Sequence, residues 1–158
     1  MELAGEDRSV LRRLAARLEW ESPPPELAAA TRQAIADATD FDERDANQNF
    51  SYDYEAYGEV RRNLARLIDL GELQLAMQLS VELMKQGSYQ VEMSDEGLMT
   101  DDIQECLMPV IRVLKKCDLP PGEVLAWCEA MKKSDRVGFI CKEQIRSLQK
   151  HFAAPESQ

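Results

Sequence analysis

Apolar residues recur along this chain at the three-to-four-residue spacing of a helix and rarely alternate as they would in a strand. The first such stretch, 6–20, places Val10, Leu11, Leu14 and Leu18 on one face and Arg8, Arg12, Arg13 and Arg17 on the other. Ser22-Pro23-Pro24-Pro25 closes it, because a proline ring keeps the residues before it from continuing a helix. Proline is tolerated in a first turn, so a second, alanine-rich helix opens there and runs to about residue 38. Residues 39–53, rich in Asp and Asn and without helical period, predict a long loop.

A third helix is predicted over 54–70, with Val60, Leu64, Leu67 and Ile68 inward and Gly71 as its stop. The fourth, 72–86, is apolar nearly all round: Leu73, Leu75, Ala76, Met77, Leu79, Val81, Leu83 and Met84. Such a helix is buried on most sides. Gly87 is expected to stop it, and the short turn before it predicts an antiparallel hairpin with the third helix. Residues 88–99 read as a second loop, with 88–93 the one short strand candidate. Thr100 is a candidate N-cap, and Asp101 and Asp102 suit the positive end of a helix dipole. The fifth helix carries Ile103, Cys106, Leu107, Val110, Ile111 and Leu114 inward, with a kink expected at Pro109. Leu119-Pro120-Pro121-Gly122 restarts the chain into a sixth helix, 122–133, with Val124, Leu125, Cys128 and Met131. After a turn at 134–138, the seventh helix, 139–152, aligns Cys141, Ile145, Leu148 and Phe152. Residues 153–158 read as a frayed tail. The expectation is an all-α domain over 1–152, about seven helices forming a stacked helical-hairpin array or an irregular bundle.

The hairpin over 57–86, with its Leu-Gly-Glu turn and Ala76 after it, resembles one tetratricopeptide-type unit. Across 64–148, Asp95-Glu96-Gly97, Leu125-Ala126-Trp127 and Asp135-x-x-Gly138-Phe139 resemble the helical region of uncharacterised bacterial proteins that carry a SWIM-type zinc finger elsewhere. The Cys-x-Cys and Cys-x-His elements of that finger are absent here, so its zinc or DNA role is not implied.

Composition narrows the function. Among 158 residues, Leu, Ala, Glu, Met, Gln and Arg are abundant, and all are good helix formers. The formal net charge is −10, which argues against general nucleic-acid binding, because that affinity comes from cations neutralising phosphates. The charge is polarised: residues 1–108 hold 23 acidic and 10 basic side chains, whereas 109–150 hold 5 acidic and 9 basic. Solvated helix faces account for such a split, as does a dipolar molecule whose two ends seek different partners. The chain shows no signal-peptide pattern and no apolar run long enough for a membrane. Cys106, Cys117, Cys128 and Cys141 form no Cys-x-x-Cys pair, and with His151 the only histidine a zinc site lacks ligands. Reduced thiols in a cytoplasmic protein are expected.

Three constellations bear on chemistry. Asp45-x-Asn47-x-Asn49, with Asp53 further on, has the alternating oxygens that open a calcium loop. Phe50 then stands where the sharp turn needs glycine, and Ala56 where the bidentate carboxylate belongs. The alternative is an Asp/Asn-rich loop bonded to its own backbone. Paired carboxylates from this loop would need a desolvated cleft to act as acid and base, and the run is very polar. Lys142, Arg146 and Lys150 share one face of the last helix, as a solvated surface or as a basic patch for an anion, RNA or an acidic partner. Trp127 and the tyrosines of 52–57 read as core or loop anchors, or as interface hot spots.

The leading expectation is a protein–protein interaction module without catalytic residues, metal or cofactor. Its candidate partner contacts are Asp40, Asp42, Glu43, Asp45, Lys142, Arg146 and Lys150, and a second copy of the chain is one candidate partner. The alternatives are an anion or nucleic-acid binder using the basic C-terminal face, and a metal-binding or hydrolytic protein using the acidic loop.

Overall fold

A computed structural model describes residues 24–41, 52–94 and 97–153. Those residues form six helices and no strand: α1 Pro24–Ala38, α2 Tyr54–Asp69, α3 Leu73–Met93, α4 Thr100–Leu114, α5 Pro121–Ser134 and α6 Lys142–Ala153. The fold class is all-α, as expected. The expected helix over 6–20, the stretch 42–51 and the tail beyond 153 lie outside the described residues.

Local chemistry sets most of the boundaries. Asp53 caps α2 by accepting a hydrogen bond from the Ala56 N–H at 3.0 Å. The other end closes with Glu72 N–H donating to the Leu67 carbonyl at 2.8 Å and Gly71 to Ile68 at 3.0 Å. Gly71 stands at φ +82°, a left-handed conformation that only glycine adopts without cost, so this stop falls where expected. Pro121 occupies the first turn of α5, where its missing N–H costs nothing. Pro109 lies within α4.

Three expected boundaries are corrected. Gly87 does not end the fourth predicted helix: α3 runs on to Met93, so the strand candidate at 88–93 is helical and much of the expected loop disappears. The bare Cα of Gly87 faces α4, where an added Cβ would stand 2.8 Å from Ile103 Cδ1. The glycine serves close helix approach, and burial of Met84, Gly87, Ser88 and Val91 continues one helical stripe past it. The last helix begins at Lys142 rather than 139, because Cys141 sits at φ 57° and breaks the run before it. Cys141 is still buried, but Phe139 is 53% exposed. Thr100, the expected cap of α4, is its first helical residue and makes no capping bond.

Packing follows a simple rule. Each helix from α1 to α4 packs against the second helix after it: α1 on α3, α2 on α4, α3 on α5 and α4 on α6. Consecutive helices also meet at α1–α2, α2–α3, α3–α4 and α5–α6. Odd-numbered helices thus lie side by side in one layer and even-numbered helices in the other. Between the layers sit Ile35, Val60, Leu64, Leu79, Leu83, Ile103, Leu107, Val124, Cys128 and Leu148, all fully buried.

The α5–α6 connection is fastened from both sides. Asp135 accepts from the backbone N–H groups of Val137, Gly138 and Ile140 at 3.1, 2.8 and 3.0 Å. From α3, the Ser88 hydroxyl donates to the Ser134 carbonyl at 2.9 Å and accepts from Arg136 N–H at 3.0 Å. The Arg136 guanidinium reaches Glu92 at 2.6 Å and lies 4.9 Å from the Tyr89 ring centre.

Candidate functional site

Lys142, Arg146 and Lys150 lie on the exposed face of α6, while Ile145 and Leu148 on its other face are buried. Lys142 and Arg146, one turn apart, join Lys132 of α5 around a cavity of about 190 Å³ walled by Met131, Ile140 and Ile145. Lys150, a turn further on, does not line it. Glu129 approaches Lys132 at 3.8 Å and accepts from Gln149 at 3.0 Å. Among the described residues neither Lys142 nor Arg146 has an ion-pair partner. Asp40 is exposed just after α1. Asp42, Glu43 and Asp45, and with them the calcium-loop pattern, lie outside the described residues.

A larger concavity was not foreseen. Between α2 and α4 runs a groove of about 500 Å³ walled by Tyr54, Arg61 and Arg62 on one side and Asp102 and Glu105 on the other, with Gly58, Tyr57 and Cys106 also lining it. Arg61 and Glu105 bridge the two helices at 3.2 Å. Behind the groove lies a polar chain of contacts. The Tyr57 hydroxyl donates to the Gln90 side-chain carbonyl at 2.5 Å, and Gln90 donates to the Ala38 backbone carbonyl at 3.0 Å. The Cys106 thiol donates to the Tyr57 backbone carbonyl at 3.2 Å. Tyr52 donates to Asp102 at 2.6 Å and meets the Tyr57 ring edge-on at 5.9 Å.

Burial keeps the thiol and the two phenols at this groove in their neutral forms. Burial pushes the Cys106 thiol up to about 12, against a smaller opposing pull from Arg61. Burial, then the hydrogen bond to Asp102, pushes Tyr52 up to about 12, and burial drives Tyr57 higher still. All three are protonated at neutral pH, so none supplies a nucleophile or a base there.

Gly58 is the unusual residue of the groove. It stands inside α2, and a Cβ there would meet only Arg62 Nη1, at an ordinary 3.5 Å. Glycine within a helix costs roughly 0.5–1 kcal/mol relative to alanine. At Gly87 the packing of α4 explains that cost, whereas at Gly58 no neighbour within the described chain does. The signal was present in the sequence, since Tyr54, Gly58, Arg61 and Arg62 fall at helical spacing on one face.

The remaining aromatic candidate is a core anchor. Trp127 is 6% exposed and donates its indole N–H to the Met77 carbonyl at 2.9 Å, tying α5 to α3. Cys106, Cys128 and Cys141 are buried, Cys117 is half-buried, and all four are free. Among the described residues no group of three or more His, Cys, Asp or Glu side chains could hold a metal ion, and no helix is long and apolar enough to cross a membrane. Set against family models, curated proteins and solved structures, the chain matches none of them.

Proposed function

We propose that this chain is a protein-interaction module that seats a segment of its partner in the α2–α4 groove. The observation that carries the reading is Gly58, a helix-weakening residue in the groove that no neighbour within the described chain requires. Its missing side chain lets a partner's backbone approach α2 closely. Tyr54, 64% exposed one turn before it, and Arg61 and Arg62, both one turn after it, are of the residue types that dominate interface energetics. Tyr57 and Cys106, each 1% exposed, form the buried floor beneath these side chains. Four free thiols suit a reducing compartment, and the reading places the chain in the cytoplasm.

The test is differential capture from extract of the source cells. Gly58→Leu fills the groove and Arg62→Glu puts an anion in place of one of its cations; both positions face solvent in part, so neither variant should melt well below the parent. A partner recovered by the parent chain and by Lys133→Ala, yet lost from both groove variants, is expected. Retention of every captured protein by Gly58→Leu and Arg62→Glu would refute the assignment.

A further inference from the structure

The cavity between α5 and α6 is separate from that groove and is built from different helices. Its volume of about 190 Å³ falls below the roughly 300 Å³ at which small-molecule pockets begin, and it has room for one side chain or a small ion. Its walls combine three cations, Lys132, Lys142 and Arg146, with the apolar Met131, Ile140 and Ile145. The one carboxylate that lines it, Asp135, is already engaged by three backbone N–H groups. Glu129, outside the lining, approaches Lys132 and accepts from Gln149, and reaches neither Lys142 nor Arg146. Two cations, Lys142 and Arg146, are left without an ion-pair partner among the described residues.

We infer that this cavity is a subsite for a single carboxylate on a short aliphatic stem: a glutamate-type side chain presented by a partner protein. Charge decides between anions. Three cations against the two carboxylates of Asp135 and Glu129 leave one net positive charge, which one carboxylate neutralises. A phosphate monoester carries about −1.5 to −2 and would leave negative charge in a partly desolvated site. A nucleic-acid strand would also meet the −10 of the whole chain. The Arg146 guanidinium offers the paired N–H geometry that carboxylates accept, with Lys142 as a point charge one turn away. The methylenes of the stem lie along the alkyl parts of Lys142 and Arg146, with the buried Met131, Ile140 and Ile145 beneath. Phe139, half-exposed between the lining residues Gly138 and Ile140, offers an apolar surface to the residue next to the acid. This inference does not depend on the α2–α4 groove.

The experiment is a nitrogen-15 NMR titration of the full chain at low salt with acetyl-Ala-Glu-Ala-amide, its Gln counterpart and inorganic phosphate. Saturable shifts at the amides of Gly138, Ile140, Lys142, Ile145 and Arg146 are expected with the Glu peptide, and none with the Gln peptide. Binding should fall at least about tenfold in Lys142→Gln/Arg146→Gln, whose two side chains are exposed and leave the fold intact. Lys150→Gln, outside the cavity, should bind as the parent does. The inference is overturned by equal shifts from the Glu and Gln peptides or by no saturable shift with either. Tighter binding of phosphate than of the Glu peptide overturns it too, as does an equal loss from Lys150→Gln, which would mean a diffuse field rather than a subsite.

Discussion

Replacing Gly87 with alanine pits helix propensity against packing, and the geometry decides the sign. Alanine in a helix interior gains roughly 1 kcal/mol over glycine. At Gly87 the new Cβ would stand 2.8 Å from Ile103 Cδ1 and 3.2 Å from its Cγ1. Both lie inside the optimal carbon–carbon separation of about 3.5–4.0 Å. Ile103 is fully buried and, being β-branched in a helix, holds one χ1 rotamer. That rotamer holds Cγ1 in place, Cδ1 can turn away only about χ2 within a packed core, and overpacking of this kind costs about 1–3 kcal/mol. The net expectation is a loss of about 0–2 kcal/mol. Gly58→Ala, whose Cβ meets only Arg62 Nη1 at 3.5 Å, should instead gain about 0.5–1 kcal/mol. Ile103→Val removes the offending Cδ1 and alone costs about 0.5–1.5 kcal/mol. In the Gly87→Ala background it also relieves the clash, so the double variant should exceed the sum of the singles by about 1 kcal/mol. Urea denaturation followed by circular dichroism measures all four corners of the cycle. The packing argument fails if Gly87→Ala stabilises as much as Gly58→Ala, or if the cycle is additive within about 0.5 kcal/mol.

Three further outcomes are expected. Ser88→Ala leaves the Ser134 carbonyl and the Arg136 N–H without their shared partner and should cost about 1–3 kcal/mol, with faster hydrogen exchange at Arg136; unchanged exchange there would contradict the bracing role. Asp53→Ala should cost about 1 kcal/mol by uncapping α2, whereas Thr100→Ala should cost little, and equal losses would argue against the capping assignment. Burial holds the thiol of Cys128 up to about 11 and those of Cys106 and Cys141 up to about 12, above an ordinary 9.0, so each is neutral in the fold where the unfolded chain ionises. That stability is complete below about pH 9 and is lost as pH rises through the window to about 12, on the order of 1 kcal/mol per thiol by pH 10; urea midpoints equal at pH 8 and pH 10 would rule this out.

Helical periodicity was legible in the sequence wherever the inward face was aliphatic. Val60, Leu64 and Leu67, or Ile103, Leu107 and Leu114, announce their helices and their buried sides together. It failed where the inward face is small or polar. The stripe Gly87, Ser88 and Val91 looks like a loop, because nothing local says that Ile103 will pack on the glycine or that Ser88 will bond Ser134 and Arg136. The α2–α4 groove was missed for a similar reason. Tyr54, Gly58, Arg61 and Arg62 share a face in any helix reading, but which helix stands opposite depends on tertiary packing. The basic stripe was legible as a stripe, yet its division into Lys142 and Arg146 beside a cavity and Lys150 outside one required α5 in place.

The two-layer stacking sets the length of chain that each tie must close. Arg32–Glu82, Arg61–Glu105, Met77–Trp127 and Glu92–Arg136 join residues 50, 44, 50 and 44 positions apart, tying α1 to α3, α2 to α4, α3 to α5 and α3 to the turn after α5. Each hairpin therefore meets a loop-closure cost close to that of the one before it, because that cost grows only with the logarithm of length. A chain built this way can assemble in order as it leaves the ribosome, α3 settling on α1 before α5 exists to settle on α3.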